Sequence, residues 1–66
     1  MKNRIRVERA ELRMTQQQLA DAVSVSRQTI NAIEAGRFVP STVLALKIAR
    51  QFDKPLEAVF QLEEND

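Results

Sequence analysis

Residues 15–36, TQQQLADAVSVSRQTINAIEAG, decide the fold, because they spell two short amphipathic helices separated by three residues. Thr15 followed by Gln18 is a capping box: the hydroxyl accepts a first-turn amide and Gln18 returns a bond to the cap's own backbone. Leu19, Ala20 and Val23 then share an inward face at i, i+1, i+4 spacing. Ser24-Val25-Ser26 ends this helix near Val23, and three residues suffice for a tight turn between crossing helices. Ser26 caps the next helix, Arg27 to Ala35, which turns Ile30 and Ile33 inward. Gly36 falls where a left-handed residue closes it at no steric cost.

Outward from this pair the pattern stays helical. Asn3 to Arg13 places Ile5, Arg9, Ala10 and Leu12 at helical spacing, a narrow apolar stripe for a helix lying on a core. Val7 falls off that stripe. After the loop Arg37 to Val39, Pro40-Ser41 opens a fourth helix running to about Gln51, with Leu44, Ala45, Ile48, Ala49 and Phe52 inward. Asp53-Lys54 breaks it, and Pro55 suits the first turn of a short fifth helix through Phe60. The acidic tail Gln61 to Asp66 reads as frayed, with the alternative that Phe60-Gln61-Leu62 pairs as a strand with the N-terminal residues.

The composition excludes much. A chain of 66 residues makes one domain, and at that size it buries only about 60% of its unfolded surface. It has 0 Cys and 0 His, which removes disulfides and nearly every structural zinc site. Thiol and histidine catalysis go with them, as does any phosphate-cradling glycine loop, since there is 1 Gly. We therefore expect no enzyme, no metal and no cofactor, and helix packing or self-association must supply the stability. No apolar run approaches a membrane span and no signal-peptide pattern opens the chain, so the expected setting is the cytoplasm.

The formal charge of +1 argues at first against a polyanionic partner, but it is a cancellation. Residues 1–14 hold five cations and two anions (+3), residues 15–36 one against two (−1), and residues 37–50 three cations (+3). Residues 51–66 hold one cation against five anions (−4). A basic body carries an acidic tail.

The third helix turns Arg27, Gln28, Asn31 and Ala32 away from its Ile30/Ile33 face, with no acid before Glu34. The DNA major groove admits a helix, where Arg reads guanine, Gln or Asn reads adenine, and a small residue meets a thymine methyl or lets the backbone approach. Arg37 and the helix start at Ser41-Thr42 form a candidate phosphate clamp. Arg9 and Glu34 lie on or beside apolar faces, where a lone charge is costly.

Thr15-Gln16, Leu19-Ala20, Val23, Val25-Ser26, Ile30, Ile33 and Glu34-x-Gly36 together resemble the signature of the Cro/C1-type (XRE-like) helix-turn-helix transcriptional regulators. Residues 37–64, RFVPSTVLALKIARQFDKPLEAVFQLEE, resemble the fourth and fifth helices of short stand-alone members. The resemblance spans nearly the whole chain and leaves no room for an effector domain. It implies an all-α, five-helix, lambda-repressor-like domain over residues 1–66, with the helix-turn-helix at about 16–35. Within that frame Arg27, Gln28, Asn31 and Ala32 are expected to face bases; the resemblance implies that Gln16 contacts a phosphate, and Gln17, Thr29, Arg37 and Thr42 are further phosphate candidates. It also implies that Arg9 and Glu34 bridge the first and third helices as a structural ion pair.

Two positions depart from the family pattern. Ser24 stands where Gly is common, and a left-handed non-Gly residue costs about 1 kcal/mol. Glu8 stands where many relatives carry Leu, which leaves the phase of the first helix open, with Val7 as the compensating apolar residue.

One such domain reads only a few base pairs, and dimers solve this with half-sites about 34 Å apart. The expected function is a homodimeric, sequence-specific regulator of double-stranded DNA, a repressor on a palindromic operator. Phe38, Val43, Leu46, Val59, Phe60 and Leu62 are the apolar residues available for the dimer surface. The rival reading is an antitoxin-like protein-binding module that also autoregulates its operon.

Overall fold

All of residues 1–66 are described by a computed structural model. The elements run β1 (Lys2–Asn3), α1 (Ile5–Glu11), α2 (Gln16–Val23), α3 (Arg27–Glu34), α4 (Thr42–Gln51), α5 (Leu56–Val59) and β2 (Phe60–Gln61). This is the five-helix architecture, with β1 and β2 forming a two-stranded antiparallel sheet in the register Lys2↔Gln61, Asn3↔Phe60.

Side chains start the central helices. Thr15 accepts from the Gln18 N–H at 3.0 Å while Gln18 Oε1 accepts from the Thr15 N–H at 2.8 Å, closing the capping box. Ser26 accepts from the Thr29 N–H at 3.2 Å and Ser41 from the Leu44 N–H at 3.1 Å. Pro55 is the cap of α5 rather than part of its first turn, because its ψ of 154° is extended.

The helix ends share a device. After α1, α2, α3 and α4 an amide bonds back five residues: Met14 to Arg9, Val25 to Ala20, Arg37 to Ala32 and Lys54 to Ala49. In each case the residue before it bonds back three, with positive φ: Arg13 54°, Ser24 63°, Gly36 77° and Asp53 53°. This is the Schellman closure, which wants glycine at the left-handed position. Only α3 has it.

One core takes residues from every helix: Ile5, Leu19, Ala20, Val23, Ile30, Ile33, Ala45, Ile48, Ala49, Phe52, Val59 and Phe60. Two expectations are corrected here. On α1, Ala10 and Leu12 are exposed and Val7 does not compensate; Ile5 and Glu8 are the buried residues. A carboxylate is tolerated at Glu8 because Lys54 Nζ lies 3.4 Å away and Arg4 Nε 3.9 Å. The tail is not frayed after β2: Asp66 accepts from the Glu63 N–H at 2.7 Å and from the N-terminal amine at 2.8 Å.

Candidate nucleic-acid interface

The turn between α2 and α3 sets the two helices against each other and leaves one face of α3 in solvent. Arg27, Gln28 and Asn31 are exposed on it, while Thr29 and Ala32 are half-buried. The Thr29 hydroxyl lies 3.0 Å from Ser26 Oγ, so it faces the helix start. Ile30 and Ile33, at 0% and 1% exposure, hold the opposite face in the core. At the C-terminal end Asn3 Nδ2 donates to the Ile33 carbonyl at 2.9 Å, tying β1 to α3.

Glu34 is the hub beneath this surface. Arg9 Nε donates to Glu34 Oε2 at 2.7 Å and Nη2 to Oε1 at 3.0 Å, a two-pronged contact between α1 and α3. The remaining Arg9 prong donates to the Met14 carbonyl at 2.8 Å. Arg6 Nε stands 3.7 Å from Glu34 Oε1, and the Glu34 side chain is only 1% exposed. Burial alone raises the carboxyl's pKa. The hydrogen bonds from Arg9 and Gln16 and the charges of Arg9 and Arg6 together outweigh it and hold the pKa below its ordinary 4.5. Glu34 therefore stays ionised at neutral pH and fixes α3 to α1 and α2.

The structure places the remaining expected residues differently from one another. Gln16 Nε2 donates to Glu34 Oε1 at 3.2 Å, which orients its side chain by the hub. Gln17 Nε2 donates to Asp21 Oδ1 at 2.8 Å, one turn further along α2. Arg37 is exposed and its Nη2 donates to Asn31 Oδ1 at 3.2 Å. Thr42 is exposed in the first turn of α4, so the structure does not join it to Arg37 in one clamp by any direct contact. The Gln16–Glu34, Glu8–Lys54 and Arg37–Asn31 contacts were not read from the sequence. Only Glu8, a charge at a family Leu position, offered a signal.

The apolar candidates divide. Val59 and Phe60, at 0% and 6% exposure, are core residues that offer a second chain little surface, Phe60 only an edge. Phe38, Val43, Leu46 and Leu62 are exposed, Leu62 most at 80%. Val39 joins them at 62% exposure. It lines an open groove of about 310 Å³ with Met1, Pro40, Leu56, Phe60 and Leu62. Val43 and Leu46 lie beside Lys47 and Arg50 on the outer face of α4. No helix is long and apolar enough to cross a membrane.

Comparison with known proteins places these features in a wider set. A family described as helix-turn-helix matches residues 5–59. The chain is 47% identical over 66 residues to the uncharacterised HTH-type transcriptional regulator YgzD of Bacillus subtilis, with all of both chains covered. It is also 47% identical over 66 residues to an uncharacterised HTH-type transcriptional regulator of Methanothermobacter thermautotrophicus, covering 98% of this chain and 96% of that one. A third such regulator, from Methanocaldococcus jannaschii, is 46% identical over 66 residues with both chains covered throughout.

Proposed function

The chain belongs to the helix-turn-helix family of DNA-binding transcriptional regulators, and from that premise we propose that it is a homodimeric repressor reading a palindromic operator with α3. The observation that carries this reading is the two-sidedness of α3. Ile30, Ile33 and the Glu34 hub immobilise one side, and the other presents Arg27, Gln28 and Asn31 to solvent. A helix of this diameter fits the major groove, where those side chains match guanine and adenine edges. Ala32 sits where a small residue lets α3 approach a base.

Gln16, Gln17, Thr29, Arg37 and Thr42 supply phosphate contacts, which set register without reading sequence. The N-terminus of α2 adds a partial positive charge beside Gln16. Repression follows from occupancy: a dimer seated on an operator denies that DNA to other proteins. Two copies on half-sites about 34 Å apart would each place α3 in the major groove on one face of the DNA. Phe38, Val39, Val43, Leu46 and Leu62 are the apolar surface available to join them. Acting on DNA, the protein works in the cytoplasm.

In vitro selection from random duplexes tests the reading. The expected product is a palindrome, with Arg27→Ala and Gln28→Ala each weakening binding to it by about 1–3 kcal/mol while nonspecific binding changes less. Equal binding of the selected site by both variants and the parent would remove α3 as the reader.

A further inference from the structure

Two of the residues proposed to face DNA already touch each other. The Schellman closure of α3, with Gly36 at φ 77° and the Arg37 N–H bonded to the Ala32 carbonyl at 2.9 Å, folds the chain back over the helix end. This brings Arg37 beside Asn31, where Nη2 donates to Oδ1 at 3.2 Å. An arginine has only donors, whereas an asparagine amide has one acceptor atom and one donor atom. The contact therefore fixes the sense of the Asn31 amide, with the carbonyl toward the guanidinium and the NH₂ group free.

That orientation bears on which base Asn31 reads. Pairing to adenine needs both halves of the amide: the carbonyl accepts from the adenine amino group and the NH₂ donates to N7. Here one of the carbonyl's two lone pairs is held by a charged donor, and the guanidinium charge beside the oxygen opposes the approach of adenine's partly positive amino group to the other. Apart from the second lone pair of Asn31 Oδ1, which lies beside the guanidinium charge, the free groups of the pair, Asn31 Nδ2–H and the unengaged guanidinium N–H groups, are donors. Guanine alone offers two acceptors, N7 and O6, on its major-groove edge, while adenine and cytosine place an amino donor there. We infer that Asn31 and Arg37 act as one donor unit that reads guanine, and that Arg37 is the positioning residue which turns Asn31 away from adenine. This rests on the reading of α3 as the DNA-reading helix.

The test is the same selection from random duplexes, run with the parent, Asn31→Ala, Arg37→Met and Arg37→Lys. All three substitutions are at exposed positions, and thermal melting confirms that each variant folds. The base pair that Asn31→Ala renders indifferent is the one Asn31 reads. There the parent is expected to favour guanine over adenine about tenfold. Arg37→Met erases or reverses that preference without altering the bases chosen elsewhere in the site, and Arg37→Lys, which cannot present a planar fork, weakens it.

A parent preference for adenine at that pair overturns the inference. So does an Arg37→Met variant that binds more weakly yet keeps the guanine preference, since Arg37 is then a phosphate contact only. An Asn31→Ala variant with an unchanged selected site overturns it as well. In all three cases α3 stands as the reader as long as Arg27→Ala and Gln28→Ala still weaken binding to the selected site; a parent that selects no sequence overturns both readings.

Discussion

Glu34 shows how one residue can organise a surface it does not form. Its carboxylate is held by Arg9 and Gln16 and lies near Arg6, so residues of α1 and α2 converge on the last turn of α3. Removing one partner of a buried pair leaves the other uncompensated, at about 3–5 kcal/mol. Glu34→Ala is expected to lower the melting temperature by well over 10 °C at about 4–8 °C per kcal/mol for a domain of this size, read by circular dichroism. The pH dependence has a definite sign. A carboxyl with a depressed folded pKa stabilises fully above its ordinary value of 4.5, and that stability is lost as pH falls through the folded value. Glu34→Gln, melted across the acid range, should show a lower plateau at neutral pH and a flatter fall below about pH 4.5. Charges on apolar faces marked Arg9 and Glu34 as needing partners, and the family resemblance paired them with each other. Glu8 was not so marked, since Lys54 lies far along the chain and an Ala10/Leu12 stripe offered a simpler phase for α1.

At the scale of elements, helix starts were easier to read than helix ends. Thr15, Ser26 and Ser41 announce their helices by residue type, and each accepts the expected first-turn amide. Four helices end in one backbone closure, yet Arg13, Ser24 and Asp53 occupy the position that Gly36 fills after α3. Nothing in an arginine or a serine advertises φ near +60°, so only the end marked by glycine was plain, with Ser24 recognised through the family pattern. A Cβ at Gly36 would meet nothing within 4 Å, so backbone conformation and not space is what calls for glycine there. Ser24 adopts φ 63° without that freedom. Ser24→Gly is therefore expected to raise stability by about 0.5–1 kcal/mol, seen as a few degrees in the melt with DNA affinity unchanged. A lower melting temperature would mean that the Ser24 side chain contributes more to the turn than its backbone costs. The strand pair was one of two open readings of Phe60-Gln61-Leu62. What decides it is a long-range partner, Lys2–Asn3, which no local pattern contains.

At the scale of the whole molecule, the proposed dimer is tested by how two copies would meet. The exposed apolar residues Val43 and Leu46 share the outer face of α4 with Lys47 and Arg50. If that face joins the dimer, Leu46→Glu should convert a particle of twice the 7.5 kDa chain mass into one of 7.5 kDa by light scattering, and should weaken operator binding while leaving the monomer folded. A parent that is itself monomeric at micromolar concentration would refute the dimer outright. The sheet that joins Lys2–Asn3 to Phe60–Gln61 also sets an order of events during synthesis. Arg4 donates its backbone N–H to Val59 at 2.9 Å, and Val59 is wholly buried. The first turn of the nascent chain thus waits for nearly the last core residue before its partners exist. The α3 helix leaves the ribosome early, but the domain that steadies it cannot close until Phe60 has emerged. A message broken before that codon yields a chain carrying α3 without the complete core that holds it in place.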